Sequence, residues 1–259
     1  MLRPRLIPCL LIQNNGLVKT VEFKSPKYVG DPVNAVRIFN EKLADELMVI
    51  DIDASSHGKE PNYERIKNLA NESRMPLCYG GGIKTVAQIE KIISLGVEKV
   101  AISSAVIENK GIIKEASDSV GSQSIVVVLD IKKKGFFNNF HIYTHNGSKQ
   151  SSLDLMSFIE EIQHLGAGEL VINFIDNDGK MEGYNIDTVK KILKITKIPL
   201  TILGGAGSED DIHELWSKAG FVGASAGSLF VFKGKFRAVL INYPDPLEKE
   251  NILEGISFN

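Results

Sequence analysis

The chain contains little cysteine, little tryptophan and almost no net charge. Its 259 residues include two cysteines and one tryptophan, which excludes the disulfide framework of a small secreted domain. Thirty basic and 32 acidic side chains give a net charge of -2, so no overall positive field attracts nucleic acid or an anionic membrane. No apolar run has the length of a membrane span, and no signal-peptide core precedes a small-residue cleavage site. We therefore expect a cytoplasmic protein without a nucleic-acid or membrane partner.

Metal and cofactor sites also lack support in the sequence. The five histidines do not show the spacing of metal ligands on one helix or strand. Cys9 and Cys78 lie in apolar, strand-like contexts, where a buried free thiol is the usual state. We expect neither a metal ion nor an organic cofactor.

The same arrangement of glycines and serines occurs once in each half of the chain. Residues 80–83 and 204–207 each end a strand in glycines, a helical run follows, and the next strand ends in a small hydroxyl residue. Bare backbone N–H groups at such turns bind phosphate, although glycines also serve plain structural turns. The repeat predicts two phosphate cradles and a ligand with a phosphate at each end. The candidate phosphate-binding residues are Gly81, Gly82 and Ser104 in the first cradle and Gly204, Gly205, Gly227 and Ser228 in the second.

Strand-like and helical runs alternate along the whole chain, which is the pattern of parallel βαβ units. The predicted strands are 5–12, 47–52, 76–79, 99–103, 124–131, 169–174, 199–203 and 220–225. The sequence therefore predicts the α/β class and a single (β/α)8 barrel over residues 1–259, built from two similar half-barrels. The chemistry of such barrels lies at the C-terminal ends of the strands.

Asp130 and Leu11 occupy corresponding positions in the two half-barrels, both at this predicted mouth. A pair of carboxylates there could share general acid and base work, whereas leucine transfers no proton. Asp130 is a candidate catalytic residue, and its alternative role is that of a structural acid or helix cap.

Strand alternation predicts inward-facing rows that begin with a charge and end at the mouth. The rows are Arg5, Ile7, Cys9 and Leu11; Lys99, Ala101 and Ser103; and Glu169, Val171 and Asn173. Charges at the closed end of a barrel are often only a stabilising ion-pair cluster.

The chain resembles the HisF family, the cyclase subunit of imidazole glycerol phosphate synthase, over essentially its full length. The matching segments are residues 1–9, 30–32, 45–47, 51–55, 80–83, 121–123, 166–169 and 204–207, together with Asp130. The resemblance implies a bis-phosphorylated ribonucleotide at the mouth and a HisH-like glutaminase partner at the opposite face. It further implies that ammonia passes through the barrel and that two aspartates drive cyclisation and cleavage.

We matched the family's functional residues to this sequence position by position. The two ends of the predicted barrel then differ in how well they match. All four members of the family's ammonia gate are present: Arg5, Glu46, Lys99 and Glu169. Several mouth residues differ from the family. Leu11 stands in place of the first catalytic Asp, and Ser103 stands in place of a substrate-contacting Asn. Leu203 replaces the Ser of a Ser-Gly-Gly motif, and Asn173-Phe174 replaces a Thr-Ser pair. Lys19 and Asp51 match positions near the active site, and Asp178 and Gly179 begin the family's Asp-Gly-Thr phosphate loop.

Three hypotheses follow. The favoured one is an amidation-associated relative that passes ammonia to a separate sugar amidotransferase in surface-polysaccharide synthesis. The second is a working cyclase of histidine biosynthesis, a lyase in which Asp130 alone, or a substitute such as Asp51 or Lys19, transfers protons. The third is a non-catalytic scaffold that binds phosphorylated ligands and partners. The polar segment 13–31 corresponds to a loop that covers the family's active site, and we expect it to be mobile.

Overall fold

Eight parallel strands close into a barrel in the computed structural model, which describes residues 3–135 and 139–258. The strands of this described part are β1 (Leu6–Gln13), β2 (Gly16–Val21), β3 (Lys24–Gly30), β4 (Leu47–Asp51), β5 (Leu77–Gly80), β6 (Lys99–Ile102), β7 (Ile125–Lys134), β8 (Asn139–Thr144), β9 (Lys149–Gln150), β10 (Glu169–Phe174), β11 (Leu200–Leu203), β12 (Gly223–Ala226), β13 (Phe232–Lys233) and β14 (Ala238–Val239).

Parallel pairing joins the barrel strands in the order β1, β4, β5, β6, β7, β10, β11 and β12, and β12 pairs back with β1. The predicted (β/α)8 barrel is confirmed, and β10 has the predicted bounds. The last barrel strand begins at Gly223 rather than Gly220. Gly220 instead ends the preceding helix in a left-handed conformation, with φ +73°, which an extended strand does not allow.

The helices form the outer layer of the barrel. They are α1 (Pro32–Glu41), α2 (Ile52–Ser56), α3 (Tyr63–Glu72), α4 (Val86–Ser94), α5 (Ser104–Glu108), α6 (Gly111–Val120), α7 (Leu155–His164), α8 (Ile186–Leu193), α9 (Glu209–Ala219), α10 (Ser228–Val231) and α11 (Pro246–Ile252). Side-chain caps fix several of the starts: Thr85 and Gln88 form a capping box at α4, and Ser208 and Asp211 form one at α9. Among the described helices, none is long and apolar enough to cross a membrane.

The buried apolar side chains form two separate clusters, because successive side chains of a barrel strand point alternately outward and inward. The larger cluster fills the space between strands and helices. The smaller one fills the barrel interior, and its buried members are Ile7, Cys9, Met48, Cys78, Ala101, Val126, Val128, Val171 and Leu203.

The segment predicted as a long mobile loop is instead a β-hairpin, so that prediction is wrong about its structure. β2 continues antiparallel from β1, with Gln13 opposite Gly16, and β3 returns along β2. Glu22 and Phe23 take positive φ values of 50° and 62° at the tip. Residues 17–20 of β2, including Lys19 and Thr20, are buried against the barrel, whereas most of β3 is exposed, so β2 is the strand of the hairpin that packs on the barrel.

The hairpin docks on the loop that follows β10. Asp178 accepts hydrogen bonds from Thr20 Oγ1 at 2.8 Å and from the Phe23 backbone N–H at 3.3 Å, and its own carbonyl accepts from Glu22 N–H at 3.0 Å. At Gly179 a Cβ would lie 2.1 Å from the Thr20 carbonyl oxygen, so only glycine allows this approach. The hairpin is therefore held across one side of the barrel mouth.

Asp178→Ala should loosen the hairpin, because it removes two hydrogen bonds to a carboxylate, each worth roughly 1.5–3 kcal/mol. Hydrogen–deuterium exchange of residues 16–30 should accelerate at least about tenfold, while exchange in the barrel strands stays unchanged. Glu22→Gln is the matched control, since it breaks only the exposed ion pair with Lys180. Equal exchange rates in wild type and Asp178→Ala would show that the carboxylate does not anchor the hairpin.

Candidate active site and barrel bore

Four charged side chains meet at the N-terminal end of the barrel, each from a different strand or strand entry, and we call them the charged ring. Lys99 Nζ lies 2.9 Å from carboxylate oxygens of both Glu46 and Glu169. Arg5 contacts Glu46 and also lies 2.8 Å from Glu169. Thr201 Oγ1 donates to Glu169 Oε1 at 2.7 Å. The four residues thus alternate in sign around the base of the bore.

Arg5, Lys99 and Glu169 stay ionised near neutral pH. Burial alone would lower the pKa of Arg5 and Lys99, but hydrogen bonds and attraction from Glu169 and Glu46 outweigh it and raise both. Burial would raise the pKa of Glu169, yet the hydrogen bond and charge of Arg5, with Lys99, hold it below its usual value. Buried carboxylates with side chains only 3% and 5% exposed require such partners.

Above the ring the barrel interior, which we call the bore, is filled by uncharged and mostly apolar side chains. Its wall is the interior cluster defined above, to which Leu11 and Ile50 add at the upper end. Burial raises the pKa of the Cys9 thiol to about 11 and that of Cys78 well above its usual value, so both thiols are neutral. A small neutral molecule is the only kind of solute that such a wall favours.

A cavity of about 340 Å³ lies above this interior cluster, at the C-terminal ends of the strands, and we call it the mouth cavity. It reaches down to Cys9 and Met48, and Leu11, Asp130, Asn173 and Leu203 surround it. The hairpin contributes Thr20 and Phe23 to the rim, and the turn between β8 and β9 contributes His145 and Asn146. Asn146 Nδ2 donates to the Ile52 carbonyl at 3.0 Å, which fixes this turn over the opening.

Asp130 is the titratable group of this cavity best suited to proton transfer. Burial, together with the nearby charge of Asp178, raises its pKa to about 7, although the hydrogen bond from Asn173 Nδ2 at 2.8 Å opposes the rise. A carboxyl with this pKa can both give and take a proton near neutral pH. Leu11 lines the same cavity and presents only carbon.

The other two candidate catalytic residues have structural partners. Asp51 caps α2 by accepting from the backbone N–H groups of Asp53 and Ala54 at 3.1 Å, and its other oxygen pairs with Arg65 at 3.2 Å. Lys19 is buried, donates to the Cys9 carbonyl oxygen, and has a pKa lowered by burial. Asp51 lines the mouth cavity, whereas Lys19 lies outside its lining.

The first cradle opens directly onto the mouth cavity. Gly81 and Gly82 have φ values of +116° and +72°, and a Cβ at Gly81 would lie 2.3 Å from the Asp51 carbonyl oxygen. Ser103 and Ser104 follow β6 and line the same cavity. The predicted phosphate-binding residues Gly81, Gly82 and Ser104 are therefore brought together.

The glycines of the second cradle approach the backbone as closely as those of the first. Gly204 and Gly205 have φ values of +95° and +122°, and a Cβ at Gly205 would lie 2.1 Å from the Gly183 carbonyl oxygen. Lys19 Nζ is 2.1 Å from where a Cβ of Gly227 would be. The lining of the mouth cavity does not include Gly204, Gly205, Gly227 or Ser228, nor Asp178 and Gly179 of the neighbouring loop.

Two groups near these sites were not singled out from the sequence. Arg237, in the turn between β13 and β14, donates from Nη2 to the Gly179 carbonyl at 3.0 Å and to Ser228 Oγ at 3.4 Å. Asn173 was identified only as a departure from a family pair, although strand alternation already placed it inward at a strand end. No local pattern marks Arg237, because its role depends on how the last turn folds back. In the described ranges, no group of three or more histidine, cysteine or acidic residues could hold a metal ion.

Comparisons with known proteins agree with this architecture. A family described as "Histidine biosynthesis protein" matches residues 5–237. A putative imidazole glycerol phosphate synthase subunit hisF3 of Vibrio vulnificus is 60% identical over 254 residues, 98% of each chain. A putative subunit hisF2 of Pseudomonas aeruginosa is 48% identical over 95% of this chain and 97% of its own. The imidazole glycerol phosphate synthase subunit HisF of Streptococcus mutans is 35% identical over 89% and 91%.

The raised pKa of Asp130 makes stability depend on pH. The folded state holds a proton that the unfolded chain releases near pH 4, so the free energy of unfolding falls as pH rises from about 4 through about 7. Asp130→Asn cannot ionise, and we expect its stability relative to wild type to increase by on the order of 2 kcal/mol between pH 5 and pH 8. Urea unfolding at the two pH values measures this change.

The control for that measurement is Asp118→Asn, which alters an exposed carboxylate paired with Lys114. It should show no comparable dependence. A constant difference between wild type and Asp130→Asn at both pH values, or a carboxyl ¹³C titration with a midpoint near 4, would contradict the raised pKa.

Proposed function

The chain belongs to the histidine biosynthesis protein family, among its HisF-type members, and from this premise we propose that it is the barrel subunit of a glutamine-dependent complex. A HisH-like glutaminase binds at the charged ring and releases ammonia there. The barrel conducts the ammonia to its mouth, where it serves the amidation of a surface-polysaccharide sugar by a separate amidotransferase.

The main support for this proposal is the order in which three environments follow one another along the barrel axis. A ring of paired charges closes the base, an uncharged bore follows, and the mouth cavity lies above it. Ammonium must lose its hydration to enter such a bore, which is costly, whereas neutral ammonia loses much less. The ring blocks the entrance until its ion pairs separate, so delivery depends on the bound partner.

Leu11 supports an acceptor other than the family's cyclisation substrate. Removal of one of two catalytic carboxylates costs orders of magnitude in rate, at about 1.4 kcal/mol per tenfold. Selection for ammonia passage does not oppose that loss. Relatives with putative names in Vibrio, Leptospira and Pseudomonas share 48–60% identity with this chain, against 34–38% for relatives named HisF without that qualifier. This division supports a separate branch.

A second candidate function is the cyclase of histidine biosynthesis, a lyase. Two observations favour it: Asp130 has a pKa of about 7, and the first cradle opens onto the same cavity. In that case Asp130 would perform both proton transfers, and a phosphorylated ligand would bind at Gly81, Gly82 and Ser104.

The role of the charged ring can be tested by supplying nitrogen either as glutamine or as ammonium. In the reconstituted complex, Lys99→Ala should change the glutamine-dependent rate by about tenfold while leaving the ammonium-dependent rate within about twofold, because added ammonia enters at the mouth. Lys249→Ala is the matched control, since Lys249 is similarly buried and pairs with Asp45 at 2.7 Å outside the ring. Equal losses with glutamine and ammonium would mean that Lys99 is structural.

Leu11 separates the two candidate functions. With ammonium and the family's cyclase substrate, wild type should turn over very slowly or not at all, because only one carboxylate is present. Leu11→Asp should recover part of the activity and Leu11→Asn none, since asparagine fills similar space without transferring a proton. Recovery stays partial because Ser103 and Leu203 also shape the pocket, and a misplacement of about 1 Å costs roughly a hundredfold. If wild type instead turns over this substrate fully and Asp130→Asn abolishes the activity, the protein functions as the cyclase.

A further inference from the structure

The hairpin formed by β13 and β14 presents large apolar side chains to solvent. Phe236, in its turn, is 85% exposed, and Val239 and Leu240 after the turn are 45% and 52% exposed. Of the eight large hydrophobic side chains that are exposed in the described ranges, four lie in the segments 24–28 and 233–240: Tyr28, Phe236, Val239 and Leu240. We call these two segments the rim platform. Such a concentration marks an interaction surface, whereas apolar side chains scattered singly do not.

The two segments of the rim platform are held together by contacts between them. Lys27 Nζ donates to the Arg237 carbonyl at 3.4 Å and lies 5.1 Å from the centre of the Phe232 ring. Arg237 packs on the same ring at 4.9 Å and donates from Nη2 to the Gly179 carbonyl. Gly179 belongs to the loop on which the β2–β3 hairpin docks. The platform is therefore a preformed surface, which lowers the entropy cost of binding.

The rim platform is positively charged. In a chain whose net charge is -2, it contains no acidic residue and five cations: Lys24, Lys27, Lys233, Lys235 and Arg237. Within the part of the chain that the structure describes, none of these five side chains forms an ion pair. Glu22, the one acidic residue of the adjoining β2–β3 hairpin, is already paired with Lys180. An acidic surface is therefore the complementary partner.

The rim platform borders the mouth cavity. The β2–β3 hairpin, which carries its first segment, contributes Thr20, Phe23 and Pro26 to the cavity lining. The platform supplies about half of the roughly 20–30 residues that each side of a stable protein interface uses. A protein bound there must therefore extend along the neighbouring rim, where the cavity opens. A lipid surface at the same place would offer no enclosed site for a small molecule that leaves the cavity.

We propose that the rim platform is the docking surface of the sugar amidotransferase, which binds through an acidic face with an apolar pocket for Phe236. The Phe236 ring is the anchor of this contact, and the surrounding lysines set the orientation and the association rate. This inference rests on the proposed delivery of ammonia to a separate amidotransferase. It adds the place and the chemistry of the contact, at the end of the barrel opposite the charged ring.

The experiment uses the reconstituted complex and measures, by isothermal titration calorimetry, how its sugar amidotransferase binds the barrel with its glutaminase. Phe236→Ser should raise the Kd at least about tenfold, because it removes the aromatic anchor. Lys233→Glu with Lys235→Glu should do the same at about 50 mM salt and less at about 300 mM salt, because salt screens the repulsion. All three side chains are exposed, so the thermal unfolding midpoint of the barrel should not change.

Two matched controls make the same changes elsewhere. Phe221→Ser removes a phenylalanine that is 52% exposed and precedes β12, at the opposite end of the barrel. Lys190→Glu with Lys191→Glu reverses two exposed charges on α8. Neither control should change the Kd for the amidotransferase. The proposal is overturned if the platform variants bind like wild type, or if platform and control variants weaken binding equally.

An anionic membrane is the other surface that exposed lysines and a phenylalanine could meet. Vesicles of phosphatidylcholine with about one third phosphatidylglycerol test it in a sedimentation assay. Wild type should not sediment with these vesicles. Sedimentation that Phe236→Ser abolishes, together with unchanged amidotransferase binding by that variant, would overturn the proposal and identify a membrane anchor.

The outcome is separable from that of the proposed function. If the platform variants bind like wild type while the aminated product still forms from glutamine, only the platform is rejected. If the amidotransferase does not bind wild type at all, the proposed function is rejected as well. If the platform variants lose binding while Lys99→Ala affects glutamine and ammonium equally, the gating role of the charged ring is rejected and the platform stands.

Discussion

The four charges at the base of the barrel are mutually dependent, and the architecture above them depends on their arrangement. Glu46 and Glu169 are buried carboxylates that need both Arg5 and Lys99, and these residues lie far apart in the sequence. Only a closed barrel in the observed register brings them together. The same register fixes which side chains face inward at every higher layer. The ring, the apolar bore and the mouth cavity therefore all follow from which alternate residues of each strand point into the barrel.

The two ends of the bore differ in the state of their charges. At the base every carboxylate has a cation, whereas Asp130 at the mouth has an amide partner and a second carboxylate nearby. Ionisation is therefore stabilised at one end and opposed at the other. The two cradles also differ: Gly81, Gly82 and Ser104 of the first line the mouth cavity, and the residues of the second do not.

Much of the fold could be predicted from the sequence, because barrel strands repeat a strong local pattern. Alternation placed Arg5, Lys99 and Glu169 at the base and Asp130 at the mouth. The hairpin formed by β2 and β3 was predicted as a loop, since its pairing with β1 and its docking on Asp178 are tertiary contacts that a single segment does not reveal. The contact of Arg237 with the second cradle was also unpredictable, because it depends on the path of the chain after β12.

Isotope competition tests most directly whether ammonia travels inside the barrel. The complete complex would be supplied with amide-¹⁵N glutamine in the presence of excess unlabelled ammonium, and the ¹⁵N content of the aminated product would be measured. Transfer through the bore predicts that the product keeps most of the label, because the nitrogen does not mix with solvent. A label fraction diluted to that of the bulk ammonium would contradict the account.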